Sequence, residues 1–268
     1  VCTKGSILLP SFLLALVLAV TCVCQEPSTK TLFTAEKNGK WGFIDRFGKV
    51  IIPIQFDSAN EFHDGLALVT AGGKKMFIDM SGKVVITAQF DIVDNFSEGL
   101  AAVNIGQTRI PHIGLIDKPG KWGYLDKSGN LQFPLKFTDA EDFSEGLAAV
   151  KDGDHGGFID HAGKMIFEVP FDVTLGFHEG VAGVLFKGSI SYYDQTSKKL
   201  PISTDYGPKS NSFSSGLLPV SVKGKWGFVD KSGKLLIAPQ FEDADNFSEG
   251  LAPVRVRSDE TTWCPRDE

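Results

Sequence analysis

Five histidines, His63, His112, His155, His161 and His178, are the first residues to weigh for metal or acid–base chemistry in this 268-residue chain. No two of them stand at a recognisable ligand spacing. His63 and His178 fill a slot that related stretches of the chain give to Ser, and His161 falls in a turn where related stretches carry Arg or Lys. Solvated surface is the expected environment. Asp152-Gly153-Asp154-His155-Gly156-Gly157 opens like a calcium loop, but the twelfth position is Gly163, where such a loop needs a bidentate Glu. Glu98, Glu145, Glu179 and Glu249 each recur alone in the same local pattern. That spacing suits bonding to nearby backbone or water and not a catalytic dyad. No nucleophile motif and no phosphate-cradling Gly loop before a helix is present. The expectation is a chain without catalytic residues, metal or cofactor.

What must position these side chains is a repeated phrase. Asp45, Asp79, Asp126, Asp160, Asp194 and Asp230 anchor six copies spaced by 34, 47, 34, 34 and 36 residues. Phe56, Phe90, Phe137, Phe171 and Phe241 follow their anchors at eleven residues, and Phe62, Phe96, Phe143, Phe177 and Phe247 at seventeen. The fifth copy drifts, with Phe213 and Gly216 two residues late and Ser197 in a turn position that is Gly elsewhere. Such self-similarity marks units that cannot bury their own apolar faces and must lean on neighbours.

Within one copy, Lys40 to Asp45 and Lys49 to Pro53 are β-rich runs around a turn. Asp at its first position and Gly three residues later predict a type I turn with a following bulge. In the fifth copy Ser197 predicts a longer or strained turn. The next stretch, such as Gln240 to Gly250, is too polar and broken for a strand and carries two Phe side chains that should tuck beneath it. Burying each contributes about 1.5 to 3 kcal/mol. A third strand follows, as in Leu66-Ala67-Leu68-Val69. Adjacent apolar residues such as Phe43 and Ile44 point to opposite faces, so both faces should be covered. The fold expected is all-β: about six tandem three-stranded meanders stacked face to face, as a propeller-like ring or an open solenoid. The insertion between Asn104 and Gly120, with Ile110 and His112, maps to a surface loop that often serves binding.

The strings Gly-Lys-Trp-Gly-Phe-Ile-Asp (39–45), Gly-Lys-Trp-Gly-Tyr-Leu-Asp (120–126) and Gly-Lys-Trp-Gly-Phe-Val-Asp (224–230), with the downstream Phe-Ser-Glu-Gly-Leu-Ala, resemble the bacterial WG (KWG) repeat family. The resemblance spans residues 32–256 and departs from the pattern at Lys75-Met76, Gly156-Gly157 and Ser189-Ile190. It implies a bacterial, often envelope-associated repeat protein and supplies no catalytic residue. Trp41, Trp122 and Trp226 admit two readings: exposed platforms for a sugar or a partner's side chains, or rings packed between sheets while the following Gly admits close backbone.

Residues 1–24 read as a secretory signal peptide, with Lys4 before an apolar run from Ile7 to Val20 and small residues near Cys22 and Cys24. An uncleaved membrane anchor or a lipid-modified cysteine is the alternative. Residues 25–31 form a linker, 32–256 the repeat domain, and 257–268 a tail or a truncated repeat. Removing residues 1–24 takes one Lys and no acid, moving the net charge from -6 to -7. No basic cluster exists for nucleic acid or anionic membrane. Cys264 is the one cysteine after the leader, which excludes a disulfide framework. The function expected is an exported, non-enzymatic module that binds a protein or a cell-envelope component. A lectin-like glycan binder using the Trp residues is the alternative, and membrane association would come only through an uncleaved leader or a lipid anchor.

Overall fold

The computed structural model describes residues 31–109, 116–203, 207–208 and 212–257. The chain divides into two compact units, residues 1–31 and 32–268. Every regular element among the described residues is a β-strand, as the repeat pattern predicts. Seven antiparallel sheets succeed one another along the second unit. Sheet 1 holds Phe33–Lys37, Lys40–Ile44 and Val50–Phe56. Sheet 2 holds Ser58–Ala59, Leu66–Ala71, Lys74–Asp79 and Val84–Ala88. Sheet 3 holds Ile92–Ser97, Leu100–Arg109 and Ile116–Asp126. Sheet 4 holds Asp139–Ala140, Ala148–Asp152, His155–Ile159 and Met165–Glu168. Sheet 5 holds Val173–His178, Val181–Phe186 and Ser189–Asp194. Sheet 6 holds Gly207–Pro208, Leu217–Val222, Lys225–Asp230 and Leu235–Phe241, and sheet 7 holds Asp243–Ala244 and Val254–Arg255.

The sheets are out of step with the sequence phrase. The strand after each Glu-Gly turn pairs with the anchor strand of the next copy, as Leu66 opposite Asp79 through Ala71 opposite Lys74. Each meander is therefore assembled from the end of one copy and the start of the next. The connectors, read from sequence as too polar for strands, also pair: Asp57 and Asn60 donate to the Thr70 and Leu68 carbonyls at 2.7 and 2.9 Å. Pairing needs only the backbone; most polar side chains keep exposed surface, and Thr174, which is buried, donates to the Gly183 carbonyl.

Because one copy straddles two sheets, its own aromatic pairs form the joint between them. Phe43 meets Phe62 at 4.7 Å between ring centres, Phe77 meets Phe96 at 4.6 Å, Tyr124 meets Phe143 at 4.8 Å, and Phe158 meets Phe177 at 4.9 Å. The rings are steeply inclined, the geometry that adds about 0.5 to 1.5 kcal/mol per pair beyond area burial.

The Glu-Gly turns supply a second link. Glu98 and Gly99 both have positive φ, 53° and 86°, which is the two-residue hairpin that matches strand twist. Glu rarely adopts that backbone, and its side chain gives the compensation. Glu98 accepts the Gly146 amide at 2.9 Å, Glu145 the Gly180 amide at 2.7 Å, and Glu179 the Ser215 and Gly216 amides at 2.6 and 2.7 Å, each in the following sheet. The preceding residue repeats the logic: Ser97, Ser144 and Ser214 donate to the Phe143, Phe177 and Phe247 carbonyls. His178, in the same slot, places Nδ1 2.9 Å from the Phe213 carbonyl. The recurring acids are thus bonded to backbone, of the neighbouring sheet and not of their own.

The Asp-x-x-Gly turns fold as the spacing predicts. Asp230 Oδ1 accepts the Ser232 and Lys234 amides at 2.9 and 3.0 Å, and Gly233 has φ 81°. The fifth copy keeps the same bonds, with Thr196 and Lys198 amides on Asp194, and forces Ser197 to φ 69°. The turn is strained and not longer. Ser197→Gly should raise stability by about 0.5 to 1 kcal/mol, since only the strain is removed. A chemical-denaturation midpoint that fails to rise would refute this.

Candidate functional site

The connectors of sheets 2, 3 and 4 bring several ionisable groups close enough to act on one another. Asp94 lies half-buried on Ile92–Ser97, and Glu141 and Asp142 follow Asp139–Ala140. Burial first, and then the charge of Asp142, pushes the Asp94 carboxyl up to about 6 against a smaller pull from Lys75. Burial also raises Glu141 and Asp142, and the two keep exposed surface. The carboxyls are thus crowded by protein without being sealed from water. His63, on the connector of sheet 2, acts on Asp142 in the opposite direction. Asn60 Nδ2 donates to Asn95 Oδ1 at 2.9 Å, tying two of these connectors together. Beneath them Tyr124, fully buried, donates its hydroxyl to the Glu141 carbonyl at 2.6 Å. Its phenol is raised by burial, then by Asp142 and Glu141.

Overlapping carboxylate fields favour a bound proton or a cationic group of a partner over a nucleophile. Among the described residues no group of three or more His, Cys, Asp or Glu is placed to hold a metal ion. Sequence reasoning missed this acidic cluster. Its signal was the acid in corresponding connector positions, Asp94 and Glu141.

A second feature runs along the sheet edges. Val50–Phe56, Val84–Ala88, Met165–Glu168 and Leu235–Phe241 are the last strands of sheets 1, 2, 4 and 6. Each begins with aliphatic side chains in solvent: Val50 at 48% exposed, Val84 and Val85 at 45% and 44%, Ile166 at 41% and Leu236 at 53%. An edge strand offers unpaired backbone groups, and here each comes with apolar side chains beside them.

The tryptophans singled out from sequence lie on separate sheets: Trp41 on sheet 1, Trp122 on sheet 3 and Trp226 on sheet 6. Trp122 is buried, and Trp41 and Trp226 are half-buried. Each stands opposite the Phe eleven residues past its anchor, Phe56, Phe137 and Phe241. Ile110 and His112 lie outside the described residues.

The profile for "WG containing repeat" matches residues 41–74, 76–108, 122–154, 157–188 and 226–258, more than half of the chain. No curated protein matches it. Among solved structures, the chain is similar to a crystal structure of the eukaryotic initiation factor, with 14% identity and a TM-score of 0.51. That match covers 81% of this chain and 65% of the other. It is also similar to Hsv2 of Kluyveromyces lactis, at 11% identity and a TM-score of 0.47 over 75% of this chain and 70% of that one. At such identity the likeness is one of fold, to propeller-like proteins built from small antiparallel sheets. From its phased Trp-Gly strands, its Glu-Gly turns and the profile that matches them, the chain belongs to the WG-repeat family.

Proposed function

We propose that this chain is an exported, non-enzymatic scaffold module that holds a protein or a cell-envelope component by the open edges of its sheets. The observation that carries this reading is the exposed aliphatic start of successive edge strands, Val50, Val84 and Val85, Ile166 and Leu236. An extended segment of a partner protein can add a strand there, main-chain bonds giving affinity and alternate side chains meeting the aliphatic residues. Repeat arrays present such surfaces many times over. The acidic cluster at Asp94, Glu141 and Asp142 favours a partner carrying basic residues nearby. Export rests on the leader pattern of residues 1–24. Among the described residues no helix is long and apolar enough to cross a membrane.

The test uses a photo-crosslinking residue placed at Val85 in the full chain, expressed in a bacterial host with an envelope fraction. Discrete protein adducts are expected, lost when Val84→Lys and Ile166→Lys are introduced together without a change in the unfolding midpoint. Adducts unaffected by those changes would refute the edge-strand reading. Glycan-array binding that Trp122→Ala abolishes in a folded chain would install the lectin reading in its place.

A further inference from the structure

Two aligned slots recur in the sheets. One is the residue that follows the Gly turn, or in the first copy the matching Leu32, and the other lies seven residues past the anchor. The pairs are Leu32 with Ile52, Leu66 with Ile86, Leu100 with Phe133, Leu147 with Phe167, and Leu217 with Ile237. The second member plugs the joint: built as Ala, Gly82 would meet Ile52 Cγ2 at 3.1 Å, and Gly129 would meet Ile86 Cγ2 at 3.4 Å. Gly163 likewise faces the Phe133 ring at 2.7 Å.

The joint of sheets 5 and 6 departs at both slots. Val181 replaces Leu and Pro201 replaces Ile or Phe; Pro201 still meets Gly233, whose added Cβ would stand 2.3 Å from the Pro201 carbonyl oxygen and 3.6 Å from its Cγ, but beside this contact lies a cavity of about 480 Å³. Its lining includes Val181, Leu200 and Pro201, with Asp194, Lys198 and Lys231 at the polar side. Val181 and Leu200 are 2% and 8% exposed, so the floor is apolar. The volume is that of a small-molecule site.

The charges at the rim are unequally committed. Asp194 already accepts the Thr196 amide and hydroxyl and the Lys198 amide. Lys231 donates to the Glu179 carbonyl and lies 3.9 Å from its carboxylate. The ammonium of Lys198, exposed, has no ion-pair partner among the described residues. We propose that this joint is a binding site for a small carboxylate with an aliphatic body, its tail filling the space left by Val181 and Pro201 and its carboxylate meeting Lys198. An apolar tail gains by leaving water, and the Lys198 ammonium at the mouth, which also acts on Asp194, favours an anionic head group.

Octanoate, titrated into the full chain by calorimetry with amide shifts of Val181 and Leu200 followed by NMR, is the probe. Saturable binding is expected, weaker by at least about tenfold for octylammonium and for acetate. Lys198→Gln should weaken octanoate by about tenfold. Pro201→Phe restores the plug found at Phe133 and Phe167 and should abolish binding. Val181→Leu, the residue of the other joints, serves as a second filling variant should the first fail to fold. No binding of octanoate, equal binding of octylammonium, or affinity unchanged in both filling variants would overturn the proposal.

Discussion

Gly227→Ala is expected to destabilise the chain by about 3 kcal/mol, the upper end of the overpacking range. The cause is a bulge in the partner strand. Trp226 faces Phe241 and Phe228 faces Ile237, so two steps on one strand span four on the other, and the extra residues arch over Gly227. A Cβ there would stand 2.4 Å from the Ile237 carbonyl oxygen, 2.8 Å from the Pro239 nitrogen and 3.0 Å from the Ala238 carbonyl carbon. All three are backbone, and none can swing aside. Gly42 repeats the geometry against Ile52, Pro53 and Ile54. Sheet 2 carries Met76 at this slot, and there Met76 faces Thr87 and Phe77 faces Ile86 with no bulge between. Gly157 of sheet 4 holds the slot without a bulge, facing Glu168 in register, and a Cβ there would still meet the Phe167 carbonyl oxygen at 2.5 Å, so close backbone and not the bulge alone is what the Gly answers.

Gly224→Ala is the control, because its φ is +80° but nothing lies within 4 Å of the added carbon. It should cost only about 1 to 2 kcal/mol of left-handed strain. Denaturant unfolding followed by Trp fluorescence separates the two. A Gly227→Ala loss no larger than the control's would refute the arch as the reason for Gly. Neighbouring sheets are coupled only through their joints, so the loss should appear as early unfolding of sheets 6 and 7.

The same bulge explains what the sequence could and could not disclose. The six anchors, the Asp-x-x-Gly turns and the Phe slots were legible because each is a local device whose residues lie within one copy. The phase of the sheets was not. Phe43 and Phe62 belong to one copy and touch, which makes the copy look like one folded unit; the touching rings in fact join two sheets. Backbone pairing of the connectors was likewise hidden, since side-chain polarity says nothing about hydrogen bonds that use only main-chain groups. The Glu of Phe-Ser-Glu-Gly was read as meeting local backbone or water; its donor lies in another sheet, and no periodicity within a copy names it. The acidic cluster arises only when the connectors of sheets 3 and 4 come together. Val181 and Pro201 were visible as departures from aligned slots, yet their meaning depends on knowing that those slots meet across a joint.

Asp94→Asn is expected to stabilise the chain at pH 7.5 and to leave it unchanged near pH 4. The folded-state carboxyl is raised to about 6 from 3.8, so the native state holds its proton more tightly than the unfolded chain. That preference contributes fully below the unfolded pKa and is lost as pH rises through the folded one. At pH 7.5 the native state must carry an ionised Asp94, crowded by protein and beside Asp142. A shift of about two units amounts to about 3 kcal/mol at most. Partial solvent access reduces the expected gain to about 1 to 2 kcal/mol.

The neutral amide removes that charge while keeping the shape. Lowered groups act in the opposite direction. Asp57, Asp79, Asp194 and Asp230, held down first by side-chain hydrogen bonds from Lys40, Ser81, Thr196 and Ser232, contribute stability above the ordinary carboxylate range and lose it as pH falls. The wild-type profile therefore has its maximum between the two windows, and Asp94→Asn should extend that maximum upward in pH. Urea midpoints at pH 4, 6 and 7.5 measure this. Equal effects of the substitution at all three values would mean that packing or a lost hydrogen bond, and not the ionisation of Asp94, governs the site.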